Sequence, residues 1–467
     1  MGPMIRTTGI ILPSQGSVMA MKQRVIGLVC GLVVAVGLLA GMQVPAWSED
    51  NVPLEEMLVE KGVLTKEEAA KVQESVIAKW VNRINFNGDL RIRDEQFFDD
   101  NNSNGSMNDG VDQNRVRFRL RFGADLQIHD LTVGFRLVSG TGQQVSTNQT
   151  ETNLFTGKNI WIDRAYLSWH GTSTPWLKVT AGKMPNPFFV IYTGDVVWDD
   201  DVNPEGFAEN LQFGPAEHVS LFLNAGQFAL NEVGSNNHDP WMIGEQGGAS
   251  VAVTPEVKTT LAVAFYDSIN VSGGDATYMG ETIQQGNSRS ATCATAVGVA
   301  TPPSCVLLNN FRVLDVTTQV NLQAGPIPVS LMGDYVRNLA NTTLTGMKTG
   351  TATGNEGYQI GGIVGKASDA NTWEVAYFYK VLQTDATLAD LADSDFGNGG
   401  TARRGNIVWA AYNPMKYLQI KLKYFMTKSI TPVTTGAGVC GNTAGNLNGN
   451  SGCGDINRLQ ADVSVKF

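Results

Sequence analysis

Beyond its first 48 residues, the sequence has no apolar run of about 18 residues, the length at which a membrane-spanning helix becomes a candidate. If this part of the chain enters a membrane, it does so as a closed barrel of strands, because only helices and barrels satisfy every backbone polar group in lipid. Basic residues are also scarce, 34 against 44 acidic ones, for a formal net charge of −10. This balance argues against a nucleic-acid partner.

Histidine is the scarcest ionisable residue, with four copies at His129, His170, His218 and His238. A lipid hydrolase embedded in a barrel would need a base beside a nucleophile. The first three histidines fall at predicted short turns and the fourth falls in a predicted loop. The sequence therefore favours a protein that is not an enzyme.

Cysteine is also rare, with five copies in the whole chain. Cys30 lies in the leader described below, and the others form two close pairs, Cys293 with Cys305 and Cys440 with Cys453. Local disulfides in an oxidising compartment are the preferred interpretation. Neither pair has CxxC spacing or nearby histidines, so we expect no metal site and no cofactor.

Residues 1–48 resemble an export leader. Lys22 and Arg24 precede an apolar run over 25–40, and the small-residue site Ala46-Trp47-Ser48 follows it. This pattern predicts a cleaved secretory signal peptide, with Met21 as a possible true start. The apolar run is shorter than the roughly 20 residues of a spanning anchor, which makes an anchor the less favoured alternative.

Residues 49–82 have a different pattern, predicted to be a short periplasmic helical hairpin. Gly62 interrupts the first helix, and Thr65 with Glu68 forms a capping box that opens the second. A spacer or plug is the preferred role for this hairpin, and an oligomerisation segment or cell-wall tether is the alternative.

Residues 83–467 are predicted to be an all-β domain of about sixteen strands. Short links alternate with long polar loops, as in an antiparallel up-and-down barrel of the outer membrane. The predicted strands are 84–97, 113–128, 131–140, 158–169, 175–184, 205–213, 217–229, 241–253, 256–268, 310–323, 327–338, 357–366, 371–383, 404–413, 415–428 and 456–467.

The segment RVRFRLRF, at 115–122, shows the strand period most clearly, because four arginines alternate with Val116, Phe118, Leu120 and Phe122. A nucleic-acid groove would explain the arginines but would leave the phenylalanines without a core. In a barrel, the apolar face meets lipid and the arginines face a watery lumen. The last strand alternates in the same way, and Val463, Val465 and Phe467 are its expected barrel-closing signal.

Several motifs together resemble the putative porins of Gram-negative outer membranes. The motifs are EEMLVEKGVLTKEEA, FNGDLRIRDE, NRVRFRLRFGADLQ, KNIWIDRAYLSWH, AGKMPNPFF, VWDDDVNPEGFA and the terminal VSVKF. The resemblance implies a transmembrane β-barrel like that of general porins, with passive diffusion of small hydrophilic solutes and ions and with no catalytic residues. A surface receptor or adhesin acting through the long loops is the alternative.

A porin would have outer-membrane lipid and lipopolysaccharide as its surroundings. It would be inserted by the barrel-assembly machinery, and it could form a homotrimer. We therefore expect the protein in the outer membrane of a Gram-negative bacterium.

The segment 181–205 is predicted to fold into the lumen and set the constriction. Its carboxylates are Asp195, Asp199, Asp200, Asp201 and Glu205. Opposed charges would then select ions and polar solutes. Solvated loop charge outside the barrel is the alternative for Asp199 to Asp201, and the spacing of a calcium loop is absent. The basic residues predicted to face these carboxylates are Arg91, Arg93, Arg115, Arg117, Arg119, Arg121, Arg136 and Arg164.

Overall fold

The chain divides into two compact units, Met1–Lys79 and Trp80–Phe467. Of the first unit, the computed structural model describes only Val59, Lys61 and Thr65. The predicted leader and both cysteine pairs therefore lie outside the described residues, and so does the predicted helical hairpin apart from these three residues. In the second unit, the described residues are 83–99, 113–191, 196–232, 239–272, 286–288, 307, 309–340, 354–397, 399–430 and 456–467.

The second unit is built of strands connected in chain order. In the part of the chain that is described, no helix has the length and apolar character needed to cross a membrane. The strands are β1 (Ile84–Asp99), β2 (Gln113–Ile128), β3 (Leu131–Val138), β4 (Gln149–Thr150), β5 (Trp161–His170), β6 (Leu177–Lys183), β7 (Glu205–Ala216), β8 (Val219–Ala229), β9 (Trp241–Thr254), β10 (Val257–Ile269), β11 (Phe311–Ala324), β12 (Ile327–Asn338), β13 (Glu356–Gly365), β14 (Thr372–Leu382), β15 (Arg403–Met415), β16 (Leu418–Ser429) and β17 (Ile456–Lys466).

Sixteen of these strands form a closed antiparallel barrel, which confirms the predicted all-β barrel of about sixteen strands. The additional strand, β4, has two residues and pairs with Arg117 and Phe118 in the N-terminal half of β2. β3 pairs with the rest of β2, from Arg121 to Ile128. Closure joins the first strand to the last, with Leu90 opposite Val465. Each of the sixteen described barrel strands therefore has a hydrogen-bonded neighbour on both sides, as a closed barrel in lipid requires.

The last residue takes part in this closure. The amide of Gly88 donates to the carbonyl of Phe467 over 2.9 Å, and the amide of Phe467 donates back to Gly88 over 3.1 Å. Val463 and Phe467 are exposed on the outer surface, and Val465 is half-buried. The three residues named as a closing signal thus lie at the seam of the barrel.

The two faces of β2 differ as the alternating sequence predicts. Val116, Leu120 and Phe122 are exposed on the outside, whereas Arg117 is buried inside. An outward apolar face and an inward polar face are what a membrane barrel with a polar interior requires.

Loops fill part of the barrel interior with apolar side chains. Phe188 and Trp198, from the connection between β6 and β7, pack against wall residues Phe228 and Tyr266. The ring centroids of Phe188 and Tyr266 are 5.1 Å apart, and those of Trp198 and Tyr266 are 5.6 Å apart. Each aromatic pair contributes about 0.5–1.5 kcal/mol beyond the area it buries. The loop is therefore anchored to the wall by packing as well as by charge.

Candidate functional site

Three long connections bring polar residues into the barrel. We call them loop A (139–160, which contains β4), loop B (184–204) and loop C (383–402). Loop B is the segment predicted to fold inward, with bounds set by the ends of β6 and β7. Loops A and C were not predicted to share the site. The barrel strands hold the other side of the site, which we call the basic wall.

The basic wall begins with inward side chains of β1 and β2, whose register places like charges next to each other. Arg91 lies opposite Arg119, and Arg93 lies opposite Arg117. Like charges directly across a strand pair are destabilising, so this arrangement requires nearby carboxylates. The strands supply these carboxylates at Asp89, Glu95 and Asp462.

These carboxylates bind the arginines in two ways. Asp89 and Glu95 each bridge two or more arginines, and Asp462 binds Arg93 through two hydrogen bonds. Asp89 accepts from Arg119 at 2.8 Å and from Arg121 at 2.5 Å. Asp462 accepts two bonds from Arg93, at 2.7 and 2.9 Å. Paired bonds of this kind fix the orientation of a guanidinium as well as its charge.

Glu95 is the most connected carboxylate of the wall, and its side chain is fully buried. It forms ion pairs with Arg115 of β2 and with Arg458 of β17, and its Oε2 lies 3.5 Å from Arg117. Arg458 belongs to the same cluster, although sequence reasoning did not select it. Charge compensation inside the wall therefore comes first from the strands themselves.

Loop B reaches the basic wall through Asp201. An Asp201 oxygen lies 3.6 Å from Arg121, and its other oxygen accepts from the amide and the hydroxyl of Thr147 in loop A, at 3.0 and 3.1 Å. The amide of Asp201 donates to Asp199 over 2.8 Å. Asp201 thus joins loop A, loop B and the wall.

Loop C reaches the same place through Ser394 and Asp395. The Ser394 amide donates to Asp199 over 2.7 Å, and its hydroxyl donates to the carbonyl of Val145 in loop A over 2.7 Å. Asp395 accepts from Arg93 at 3.1 Å and from Arg458 at 2.7 Å. The three loops are therefore bonded to each other and to the wall at one level of the barrel.

The predicted carboxylates occupy three different environments. Asp199 and Asp201 are buried, so the alternative that they are solvated charge outside the barrel does not fit their positions. Asp200 between them is exposed, and Glu205 is exposed at the start of β7, where it pairs with Lys183 at 2.6 Å. Asp195 lies outside the described residues.

The two buried aspartates of loop B have pKa values shifted in opposite directions. Burial, together with the charges of Asp201 and Asp393, raises the pKa of Asp199 well above its usual value. Burial also acts to raise the pKa of Asp201, but the charges of Arg119 and Arg121 outweigh it and lower that pKa. Asp201 is therefore the ionised partner, and Asp199 favours the protonated form.

The remaining two predicted arginines hold the neighbouring wall. Arg136 forms an ion pair with Asp163, and Arg164 donates to the side-chain oxygen of Asn203 in loop B over 2.7 Å. Asn203 in turn donates to Asp163 over 3.0 Å. All eight predicted arginines thus lie on one side of the barrel, on β1, β2, β3 and β5.

Sequence reasoning missed the residues that loop C supplies. The segment DATLADLADSD, at 385–395, has four aspartates, and that density was the available signal. That density did not identify an inward loop, because four aspartates in eleven residues are equally typical of a solvated surface loop. Asn148 of loop A carried no signal at all, although its side-chain oxygen accepts from Arg91 at 2.6 Å.

No arrangement suited to metal binding was found, because the described residues contain no group of three or more His, Cys, Asp or Glu side chains placed to hold an ion. His129, His170 and His218 lie at short turns between strands, and His238 is outside the described residues. His170 makes a hydrogen bond with the carbonyl of Pro175 over 3.0 Å.

The chain matches the family described as "Putative porin" over residues 55–467. It belongs to that family. The porin is thus an outer-membrane channel, and family and fold point to a channel and not to an enzyme.

Solved structures resemble this porin in fold. The high-pH structure of OprB from Pseudomonas putida is 11% identical, covers 85% of this chain and 97% of its own, and superposes with a TM-score of 0.50. A mutant of the Rh. blastica porin is 10% identical, covers 82% of this chain and 100% of its own, and has a TM-score of 0.39. No curated protein sequence matches the chain.

Proposed function

We propose that this porin is a passive diffusion channel for small hydrophilic solutes and ions, narrowed where loops A, B and C meet the basic wall. The observation that carries the proposal is the contact between Asp201 of loop B and Arg121 of the wall, at 3.6 Å. It brings the carboxylates of an inward loop against a wall of arginines. Opposed charges at a narrow level of a pore select the ions that pass.

The two sets of charge have opposite effects on selectivity in this proposal. Changing Arg117 and Arg119 to Gln removes two positive charges beside Asp89 and Glu95, so the reversal potential moves toward that of a cation-selective pore. Changing the exposed Asp200 to Asn moves it toward an anion-selective pore. Both shifts shrink at about 1 M salt, where the screening length is roughly 3 Å.

The test is single-channel recording of the purified porin in planar bilayers under a salt gradient. Asp369→Asn is the matched control, because Asp369 is exposed in the short connection between β13 and β14. Steady current in the wild type is expected for a diffusion channel. A silent protein would contradict passive diffusion, and unchanged reversal potentials at low salt in both charge variants would place the constriction elsewhere.

We also propose how the porin reaches and occupies the outer membrane. Residues 1–48 would be removed as a signal peptide, 49–82 would form the periplasmic helical hairpin, and 83–467 would form the barrel. Insertion would use the barrel-assembly machinery, and lipopolysaccharide would surround a barrel that forms homotrimers. Intact mass of the exported protein, chemical cross-linking and proteolysis of 49–82 test these steps separately.

The disulfides form a separate proposal. Cys293 with Cys305 and Cys440 with Cys453 would form two bridges within the long loops. The intact mass should rise by the mass of four alkyl groups only when the porin is reduced before alkylation. Alkylation without reduction would contradict the pairing.

A further inference from the structure

A short segment of the connection between β10 and β11 packs against loop C. The segment consists of Gly286, Asn287 and Ser288, which are all buried, and we call it the strap. Loop C leaves the barrel wall after β14 and returns to it at β15, so it has an outgoing arm and a returning arm. The contacts of the strap with these arms link a distant connection to the loop that reaches the basic wall.

Asn287 uses its whole side-chain amide to bind the outgoing arm of loop C. Its Nδ2 donates to the carbonyls of Thr384 and Thr387 over 2.8 and 2.9 Å, and its Oδ1 accepts from the amide of Ala389 over 2.7 Å. An amide side chain has two N–H donors and one acceptor oxygen, so every polar atom of Asn287 is engaged. The side chain has no exposed surface, and a residue without these groups would leave buried backbone atoms of loop C without this partner.

Ser288 binds the same arm through Asp385, whose carboxylate is buried. The amide and the hydroxyl of Ser288 donate to the two carboxylate oxygens over 2.9 and 2.6 Å. Asn309, from the same connection as the strap, donates a third bond over 2.9 Å. A buried charge requires such donors, so the connection between β10 and β11 stabilises this part of loop C.

Gly286 places the strap close to the returning arm. Its φ is +129°, in the region that favours glycine, and a Cβ there would lie 2.6 Å from the backbone nitrogen of Thr401. The Thr401 hydroxyl in turn donates to the carbonyl of Thr384 on the outgoing arm over 2.7 Å. The strap therefore contacts both arms of loop C where they are bonded to each other.

Loop C continues from these contacts to the constriction within a few residues. Ala389, which Asn287 binds, is followed by Leu391, whose carbonyl accepts from the amide of Asp199 in loop B over 2.8 Å. Asp395 then binds two arginines of the wall, as described above. The position of the loop C carboxylates thus depends on how firmly the outgoing arm is held.

We propose that the strap positions loop C, with Asn287 and Asp385 as positioning residues that keep the loop against the basic wall and so set the charge at the constriction. The inference rests on the proposed diffusion channel and assigns part of its selectivity to the connection between β10 and β11. When the strap is released, Asp395 leaves its arginines for part of the time. The pore is then wider and its wall more positive, so it favours anions more than the wild type does.

Asn287→Leu tests the proposal, because it nearly keeps the size of the side chain but removes three hydrogen bonds. Three neutral bonds of ordinary strength correspond to a rise on the order of a hundredfold in the equilibrium constant for release. Single-channel recording of the full-length porin under a low-salt gradient should show excursions to higher conductance and a reversal potential moved toward that of an anion-selective pore. Asn310→Leu is the matched control, because Asn310 is exposed at the end of the same connection.

Two further variants disturb the strap in other ways. Gly286→Ala removes no side-chain hydrogen bond and should move the reversal potential in the same direction. Its control is Gly325→Ala, because Gly325 also has a positive φ, +61°, but no atom lies within 4 Å of an added Cβ. Ser288→Ala removes only the hydroxyl bond to Asp385, so it should give a smaller shift and leave the barrel folded.

The reversal potential decides the outcome, and the gel shift between folded and heated barrel shows which variants have folded. Wild-type reversal potentials in all folded strap variants would overturn the role of the strap and leave the diffusion channel standing. Shifts of equal size in Asn310→Leu and Gly325→Ala would also overturn it. A silent wild type would overturn the diffusion channel itself.

Discussion

The buried carboxylate of Glu95 offers the sharpest test of how the basic wall is held together. Glu95→Gln keeps the size of the side chain but removes the negative charge shared by Arg115, Arg117 and Arg458. The arginines then repel one another in a site from which water is largely excluded. Removing one member of a buried ion pair costs about 3–5 kcal/mol, because the partner charge stays buried and uncompensated.

Two features of the site adjust this magnitude. Arg458 keeps Asp395 as a partner at 2.7 Å, and the side-chain amide of Gln460 still has an acceptor oxygen at position 95, at 2.9 Å in the wild type. These remaining contacts favour the lower end of the range, about 3 kcal/mol. We therefore expect Glu95→Gln to lower the free energy of unfolding by about 3 kcal/mol and to leave the barrel able to insert.

The assay is urea unfolding of the porin in lipid vesicles, followed by tryptophan fluorescence and by the gel shift between folded and heated barrel. Glu356→Gln is the matched control. Glu356 forms an ion pair with Arg337 at 3.7 Å, and both side chains are about half-exposed. A surface pair of this kind contributes about 0–1 kcal/mol. Equal loss in the two variants would refute the claim that Glu95 organises the wall.

A double-mutant cycle separates the contribution of the pair from that of the cluster. Glu95→Gln with Arg458→Gln should cost less than the sum of the two single changes, because the double variant leaves fewer uncompensated charges. Residues in one ion-pair network show coupling of about 0.5–3 kcal/mol. Strict additivity would mean that the two side chains act independently.

Three further predictions concern the loops, the seam and the orientation of the barrel. The folded pKa of Asp199 is raised above its ordinary value of 3.8, so the folded porin keeps a proton that the unfolded chain releases, and stability is lost as pH rises from that value through the folded pKa. Asp199→Asn, which is neutral at every pH, should reduce this loss of stability in urea unfolding, and identical pH profiles of the two proteins would contradict the prediction. A Cβ at Gly88 would lie 2.7 Å from the Phe467 ring and 2.5 Å from the carbonyl of Arg121, whereas nothing lies within 4 Å at Gly214, so Gly88→Ala should lower the folded fraction on gels far more than Gly214→Ala. Tags in 269–309 or 429–455 should be labelled on intact cells, and tags near Thr254 or Pro414 should not. The reverse labelling pattern would mean that the barrel has the opposite orientation in the membrane.

The barrel itself could be predicted from the sequence, because its physical cause is local. Lipid outside and a polar interior inside force side chains to alternate, and β2 shows this with four arginines between apolar residues. Short turns and long loops also leave direct marks in composition, so the predicted strand 113–128 has the bounds of β2 and 327–338 has those of β12. The inward fold of loop B was visible as a mixture of aromatic, proline and aspartate residues.

The partners of each charge were decided only by the tertiary structure. Arg93 and Asp395 are 302 positions apart, and Arg458 and Glu95 are 363 apart, so no local spacing could pair them. Barrel closure brings β17 beside β1, and only then does Arg458 reach Glu95. In the same way, the sequence of 385–395 is equally typical of a solvated surface loop. Only the folded barrel brings Asp395 of this segment to Arg93 and Arg458. A strand pattern depends on the residues beside it and on the solvent it faces, whereas a charge inside a barrel depends on which distant segments share that interior.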